Sequence, residues 1–229
     1  MKLQGPRIAL IHALAHSVEP INTALACDWP EAQRMNLLDD SLSSDLATSS
    51  GGLDRAMHER FERLARYALD CGSNAILFTC SAFGPCIEQV ALQHPGVPVL
   101  KPNEAMIADA AALQLRVGLI ASFAPTLQSM PPEFPPGVML DCELAAGAMT
   151  ALNQGDLARH DELVADAALA LAQRGCGVIA LSQFSMARAK TLVAQRTGLP
   201  VLNTVDSAVA ALKMRLTGTA TRIATRTRE

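Results

Sequence analysis

The chain has 229 residues, half of them hydrophobic, and a formal net charge of −3 at neutral pH. That length can bury one large core or two small ones, and the absence of any block of like charge argues against a nucleic-acid or membrane-surface role. No apolar run reaches the roughly 18 residues of a membrane span. Six cysteines (Cys27, Cys71, Cys80, Cys86, Cys142 and Cys176) lack a CxxC pair or regular spacing, so neither a zinc site nor a disulfide framework is expected. The N-terminus enters a strand-like segment without the features of a leader, which places the chain in the cytoplasm as an expectation.

The first predicted strand covers residues 7–13 and ends in His12-Ala13-Leu14-Ala15-His16-Ser17, after which Pro20 opens a short helix through Ala26. Residues 32–38 read as a second strand. Residues 41–52, rich in Ser, Thr, Asp and Gly, are expected to form a loop able to close over a site. From 53 to 71, apolar residues at Leu53, Met57, Phe61, Leu64, Ala65 and Ala68 follow the period of an amphipathic helix, which Gly72 stops.

The run Ala75-Ile76-Leu77-Phe78-Thr79-Cys80-Ser81 is too short for a helix and reads as a buried strand that ends on a thiol flanked by two hydroxyls. Ligands of open α/β sheets bind at such carboxyl ends, which makes Cys80 the first candidate for chemistry. A helix from about Pro85 to His94 follows, then a strand at 97–100 and a helix capped by Asn103 and running through Leu115. Residues 116–121 are a strand, 125–130 a short helix, 131–137 a stiff proline-rich connector, and 138–141 a strand. A long helix at 156–174, a strand at 177–182, a helix at 185–195, a strand at 199–202 and a last helix at 204–216 complete the order. The three arginines of the tail, Arg222, Arg226 and Arg228, read as a solvated end. Strands alternating with helices define an α/β protein with a mostly parallel sheet.

The sequence also repeats itself. Gly72-Ser-Asn-Ala-Ile-Leu-Phe-Thr-Cys80 lies without a gap on Gly175-Cys-Gly-Val-Ile-Ala-Leu-Ser-Gln183, and Val97-Pro-Val-Leu100 lies on Leu199-Pro-Val-Leu202 after a one-residue deletion. Arg7-Ile-Ala-Leu-Ile11 pairs with Arg116-Val-Gly-Leu-Ile120, which sets Ser17 opposite Thr126. Two tandem pseudo-symmetric halves are expected: residues 1–101, to which the last helix (204–229) returns, and residues 102–203. The site is expected in a cleft between them, where Cys80 has Gln183 as its counterpart.

At these residues the sequence resembles the aspartate/glutamate racemase superfamily, which includes hydantoin racemase, maleate isomerase and arylmalonate decarboxylase. The resemblance covers nearly the whole chain: Ile8-Ala-Leu-Ile-His12, Thr79-Cys80-Ser81, Val117-Gly-Leu-Ile-Ala-Ser-Phe-Ala-Pro-Thr126, Val178-Ile-Ala-Leu-Ser-Gln183 and Leu199-Pro-Val-Leu-Asn203. It implies two Rossmann-like halves, each offering a cysteine to one face of the substrate's α-carbon. Cys80 fits the first of these positions, whereas Gln183 stands at the second. Arylmalonate decarboxylase also keeps one cysteine, but in the second half. Members of the family are often dimers, and the apolar helices here permit a homodimer.

Proton transfer next to a carboxylate needs a base or acid within reach and donors aimed at the developing charge. Cys80 precedes a helix start, which is expected to favour its thiolate. Thr79, Ser81, Ser122, Thr126 and Ser182 are candidate substrate-binding groups, and His12 or His16 could position substrate or shift the thiol. Gln183 cannot exchange protons at neutral pH. With no GxGxxG, phosphate loop or metal cluster, no cofactor and no metal are expected. The expected activity is racemase- or isomerase-like, or a one-sided decarboxylation and protonation, on a small carboxylate or carbonyl substrate with Cys80 as the single catalytic thiol. The alternative is a catalytically silent small-acid-binding protein.

Overall fold

A computed structural model describes the backbone of residues 5–49 and 51–226, with side chains as far as residue 218. The chain forms two compact units. One takes in the chain up to Lys101 and resumes at Ala208, and the other runs from Pro102 to Ser207. The basic tail arginines lie outside the described side chains.

The first unit contains β1 (Arg7–His12), α1 (Val18–Asp28), β2 (Gln33–Leu38), α2 (Ser41–Thr48), α3 (Arg55–Asp70), β3 (Ala75–Phe78), α4 (Gly84–Gln93) and β4 (Val99–Leu100). Its strands form a wholly parallel sheet in the order β2-β1-β3-β4. One face is covered by a core in which Ala9, Ile11, Ile76 and Phe78 pack with Met57, Phe61 and Ala65 of α3 and with Ile87 and Val90 of α4. Strand residues of both parities are buried, as expected of parallel strands covered on both faces, and this is why β1 and β3 read as unbroken apolar runs.

The second unit contains α5 (Glu104–Ala112), β5 (Val117–Ala121), α6 (Thr126–Ser129), β6 (Leu140–Leu144), α7 (Ala148–Asn153), α8 (Leu157–Gln173), β7 (Val178–Leu181), α9 (Lys190–Thr197) and β8 (Val201–Asn203), and α10 (Thr204–Arg226) begins in it. Its sheet is parallel in the order β6-β5-β7-β8. Ile120, Ile179 and Leu181 face α8 and α9, while Val117, Leu119, Val178 and Ala180 face α5. Gly118 lets α8 approach β5 closely, since a Cβ there would lie 3.0 Å from the Leu171 side chain.

The internal repeat is present in the register itself. Ile8 pairs with Ala75 as Val117 pairs with Val178, and Ile76 with Val99 as Ile179 with Val201. Thr79 N donates to Ile11 O, and its counterpart Ser182 N donates to Ile120 O, both at 3.0 Å. Gly72 and Gly175 take positive φ values of 78° and 85° after equivalent helices, a conformation glycine adopts without steric cost.

Several sequence expectations are corrected. Residues 41–48 are a helix rather than a loop, because Leu42 and Leu46, four apart, both pack against the core of the first unit. Asn103 does not cap α5 with its side chain; its amide instead donates to Glu133 (2.9 Å). The strand expected at 138–141 lies at Leu140–Leu144, followed by α7, a helix the sequence reading did not include. The segment 184–189 is a 3₁₀ turn that precedes α9, and the last helix extends well past Leu216. Among the described residues no helix is long and apolar enough to cross a membrane, and no group of three His, Cys, Asp or Glu side chains could hold a metal ion.

Candidate active site

The two strand ends singled out by the repeat have the same backbone form. Cys80 and Gln183 each follow the last strand residue by two, each is extended (φ −123°, ψ 119° and φ −129°, ψ 144°), and each immediately precedes a 3₁₀ turn. The side chains around them differ.

In the first unit, Cys80 is half-buried in a narrow crevice with Ile11, His12, Ala13, Leu42, Phe61 and Phe78, which leaves no room for water. Burial pushes its thiol pKa above the ordinary value, because a thiolate loses hydration among apolar groups. The Ala82 amide and the Ser43 hydroxyl hydrogen-bond to it and pull partly the other way. The expected thiolate-favouring effect of the helix start is therefore outweighed, and burial favours the thiol over the thiolate.

His12 is fully buried, with Nδ1 2.9 Å from Thr79 Oγ1 and Nε2 3.0 Å from Asn36 Oδ1. Burial lowers its pKa, and the Asn36 bond offsets this only in part, so the ring is neutral. Asn36 Oδ1 can only accept, so Nε2 carries the proton and Nδ1 accepts from the Thr79 hydroxyl. Both side chains are committed to each other in the interior, which leaves neither free to touch a ligand. Asn22 continues the chain, donating to Asn36 Oδ1 at 2.8 Å and to Val18 O at 2.7 Å.

Two groups that the sequence did not single out hold this end of the first unit. Ser43, on α2, donates to Ala13 O at 3.2 Å beside Cys80. Arg60, on α3, grips Asp39 through Nε and Nη2 at 2.7 and 2.6 Å, reaches Asp45 at 2.6 Å, and also touches Ser41. Burial opposes ionisation of Asp39, but the hydrogen bonds and charge of Arg60, with Ser41, hold its carboxyl below the ordinary value. This clasp fixes α2, and so Ser43 and Leu42, against the Cys80 crevice. The signal for it was the Asp39-x-Ser-Leu-x-x-Asp45-Leu spacing, which the polar composition of the segment concealed.

In the second unit Gln183 Oε1 accepts three hydrogen bonds: from Ser122 N at 2.6 Å, Ser122 Oγ at 3.0 Å and Phe123 N at 3.2 Å. Ser182 is buried and its hydroxyl has no hydrogen-bond partner among the described residues; the repeat puts Ala121 where His12 stands in the first unit. Ser81 and Thr126 are also buried, at the first residues of a 3₁₀ turn and of α6. His16 lies in the 3₁₀ turn after β1.

The other cysteines are packing or surface residues. Cys86 is buried, and burial together with the Asp54 charge pushes its thiol up to about 11. Cys176 precedes β7 and contacts Asp141 at 3.8 Å, at the amino end of the strand that leads to Gln183.

Two parallel-sheet units with matched strand ends, one bearing a thiol and the other an amide, describe a racemase-type α/β scaffold. The model of the Asp/Glu/Hydantoin racemase family matches residues 15–212, and the chain belongs to that family. Its fold is similar to that of glutamate racemase from Francisella tularensis in complex with D-glutamate (TM-score 0.72, 15% identity, 95% of this chain and 83% of that chain). It is also similar to allantoin racemase from Klebsiella pneumoniae (TM-score 0.69, 18% identity, 93% and 89%). A sulfate-associated point mutant of arylmalonate decarboxylase has a TM-score of 0.66, 20% identity, and coverage of 93% and 94%. No curated protein sequence matches the chain.

Proposed function

We propose that this chain is a cofactor-independent enzyme that delivers a proton from Cys80 to one face of a carbanion formed next to a carboxylate or carbonyl of a small substrate. The observation that carries this reading is the placement of the Cys80 thiol among apolar walls at a strand end whose counterpart, Gln183, has no group that ionises near neutral pH. A two-base racemase must have one thiolate and one thiol ready at once. Here burial favours the acid form of the strand-end thiol, so the chemistry it suits is donation.

A malonate-type substrate meets this requirement. Its carbon–carbon bond to the departing CO2 breaks, the electron pair remains on the α-carbon as an enediolate, and the Cys80 S–H supplies the proton. The thiolate left behind is stabilised by the Ala82 amide, and by the Ser43 hydroxyl if it turns from Ala13 O, and being poorly hydrated it regains a proton from solvent. An isomerisation with Cys80 as nucleophile would instead need the thiolate first, against the direction of the burial effect.

The test is turnover of a panel of malonates, amino acids and hydantoins in deuterated water, reading deuterium content and chirality of the product. Cys80→Ser is expected to lower turnover by about 10²- to 10⁴-fold, and Gln183→Cys to gain racemisation that the native chain lacks. Native racemisation as fast as that of Gln183→Cys overturns the one-sided reading. If ligand binds but no substrate turns over and Cys80 resists alkylation, the chain is a silent small-acid binder.

A further inference from the structure

We propose that Gln183 is an internal ligand: its side-chain oxygen fills an oxyanion-binding nest in the second unit, and a carboxylate binds there only by displacing it. This rests on the reading that the chain handles small carboxylates. It adds that Gln183 sets how readily one is admitted.

The nest is built from the chain reversal after β5. Two consecutive amides, Ser122 N and Phe123 N, and the Ser122 hydroxyl converge on one point, now held by Gln183 Oε1 at 2.6, 3.2 and 3.0 Å. A neutral amide oxygen has two lone pairs, so three donors exceed what it can use well. An oxygen bearing negative charge takes three, with shorter and stronger bonds. The nest is therefore better matched to a carboxylate or enediolate oxygen than to its present occupant.

The same strand end also carries an unpaired group. Ser182, the residue before Gln183, is 1% exposed and its hydroxyl has no hydrogen-bond partner. Leaving a buried hydroxyl unpaired is costly, and such groups call for an explanation. Its counterpart Thr79 is satisfied by His12, whereas the second unit has Ala121 at that place and supplies no partner. Gln183 itself is only half-buried, so its amide can leave the nest for solvent without disturbing the core.

The experiment uses the full chain labelled with ¹⁵N and disodium malonate as the probe, following the Ser122 and Phe123 amide resonances. In Gln183→Ala both amides are expected to shift saturably, with an affinity about tenfold higher than in the native chain, because no internal group competes. In Gln183→Glu the new carboxylate is expected to hold the nest more firmly, with a pKa below that of a free glutamate and malonate binding weaker than native. Equal malonate affinity in the native chain and Gln183→Ala, or shifts that spare both amides, overturns the proposal. So does an ordinary carboxyl pKa in Gln183→Glu, a measurement that stands even if Gln183→Ala folds poorly. The readout needs no turnover and can be repeated in Cys80→Ser, so its failure is distinct from failure of the catalytic reading.

Discussion

The two units build the same strand end twice and satisfy it in opposite ways. In the first, His12 reaches from the end of β1 to pair with the Thr79 hydroxyl, which closes the polar account of that end and leaves a thiol beside an apolar crevice. In the second, Ala121 is too short to reach Ser182, the hydroxyl is left over, and the following residue folds its amide back onto the loop after β5. The helix after each second strand differs as well. Counting back from Gly72 and Gly175, the counterpart of Arg60 is Leu163, so an ion-pair clasp in one unit is replaced by apolar packing in the other. Identical backbone register therefore does not fix chemistry. One buried residue near each strand end decides whether the hydroxyl there finds a partner.

Four substitutions bear on that contrast. The largest effect is expected from His12→Ala, which opens a cavity and strips partners from both Thr79 and Asn36, at a cost of about 3 kcal/mol measured by urea unfolding. His12 has a lowered pKa when folded, so its contribution is present above the unfolded value of about 6.5 and is lost as pH falls below it. The gap between native and His12→Ala proteins should accordingly narrow in acid. A gap that widens in acid would mean that His12 is charged in the folded chain.

Next comes Arg60→Ala, which removes the bidentate hold on Asp39 and the bond to Asp45. These are partly exposed pairs, so a loss of only about 1–2 kcal/mol is expected. The more telling readout is Cys80 alkylation by iodoacetamide, which should become several-fold faster once α2 is released from the crevice. An unchanged rate would show that the clasp does not control access to the thiol.

The smallest effect is expected from Ser182→Ala, within about 0.5 kcal/mol of native, because its hydroxyl has no bond to lose. The matched change Thr79→Val should cost about 1–3 kcal/mol by leaving His12 Nδ1 unpaired. Equal losses at the two positions would erase the difference between the strand ends.

Much of this was legible in the sequence. The apolar runs at 75–78 and 178–181, the glycines at 72 and 175, and the order of the repeat led directly to two parallel sheets and to Cys80 and Gln183 as counterparts. The helix at 41–48 was not legible, because its apolar signal is two leucines among serines and aspartates, and its stability comes from the core and from Arg60, fifteen residues beyond Asp45. The effect of burial on the Cys80 thiol was not legible for a similar reason. A following helix start is visible in sequence, whereas the apolar walls that outweigh it come from four separate segments.

The sequence alone determined what depends on short-range pattern: strand and helix order, the tandem repeat, and which residue types occupy the strand ends. Only the tertiary structure decided what depends on long-range contact. It made His12 a buried partner of Thr79 rather than a ligand-facing group, surrounded Cys80 with apolar walls that disfavour its thiolate, and set Gln183 into a nest of amides sixty residues away. Periodicity records which face of an element is buried, but hydration and hydrogen bonding at a site are set by whichever groups the fold brings alongside it.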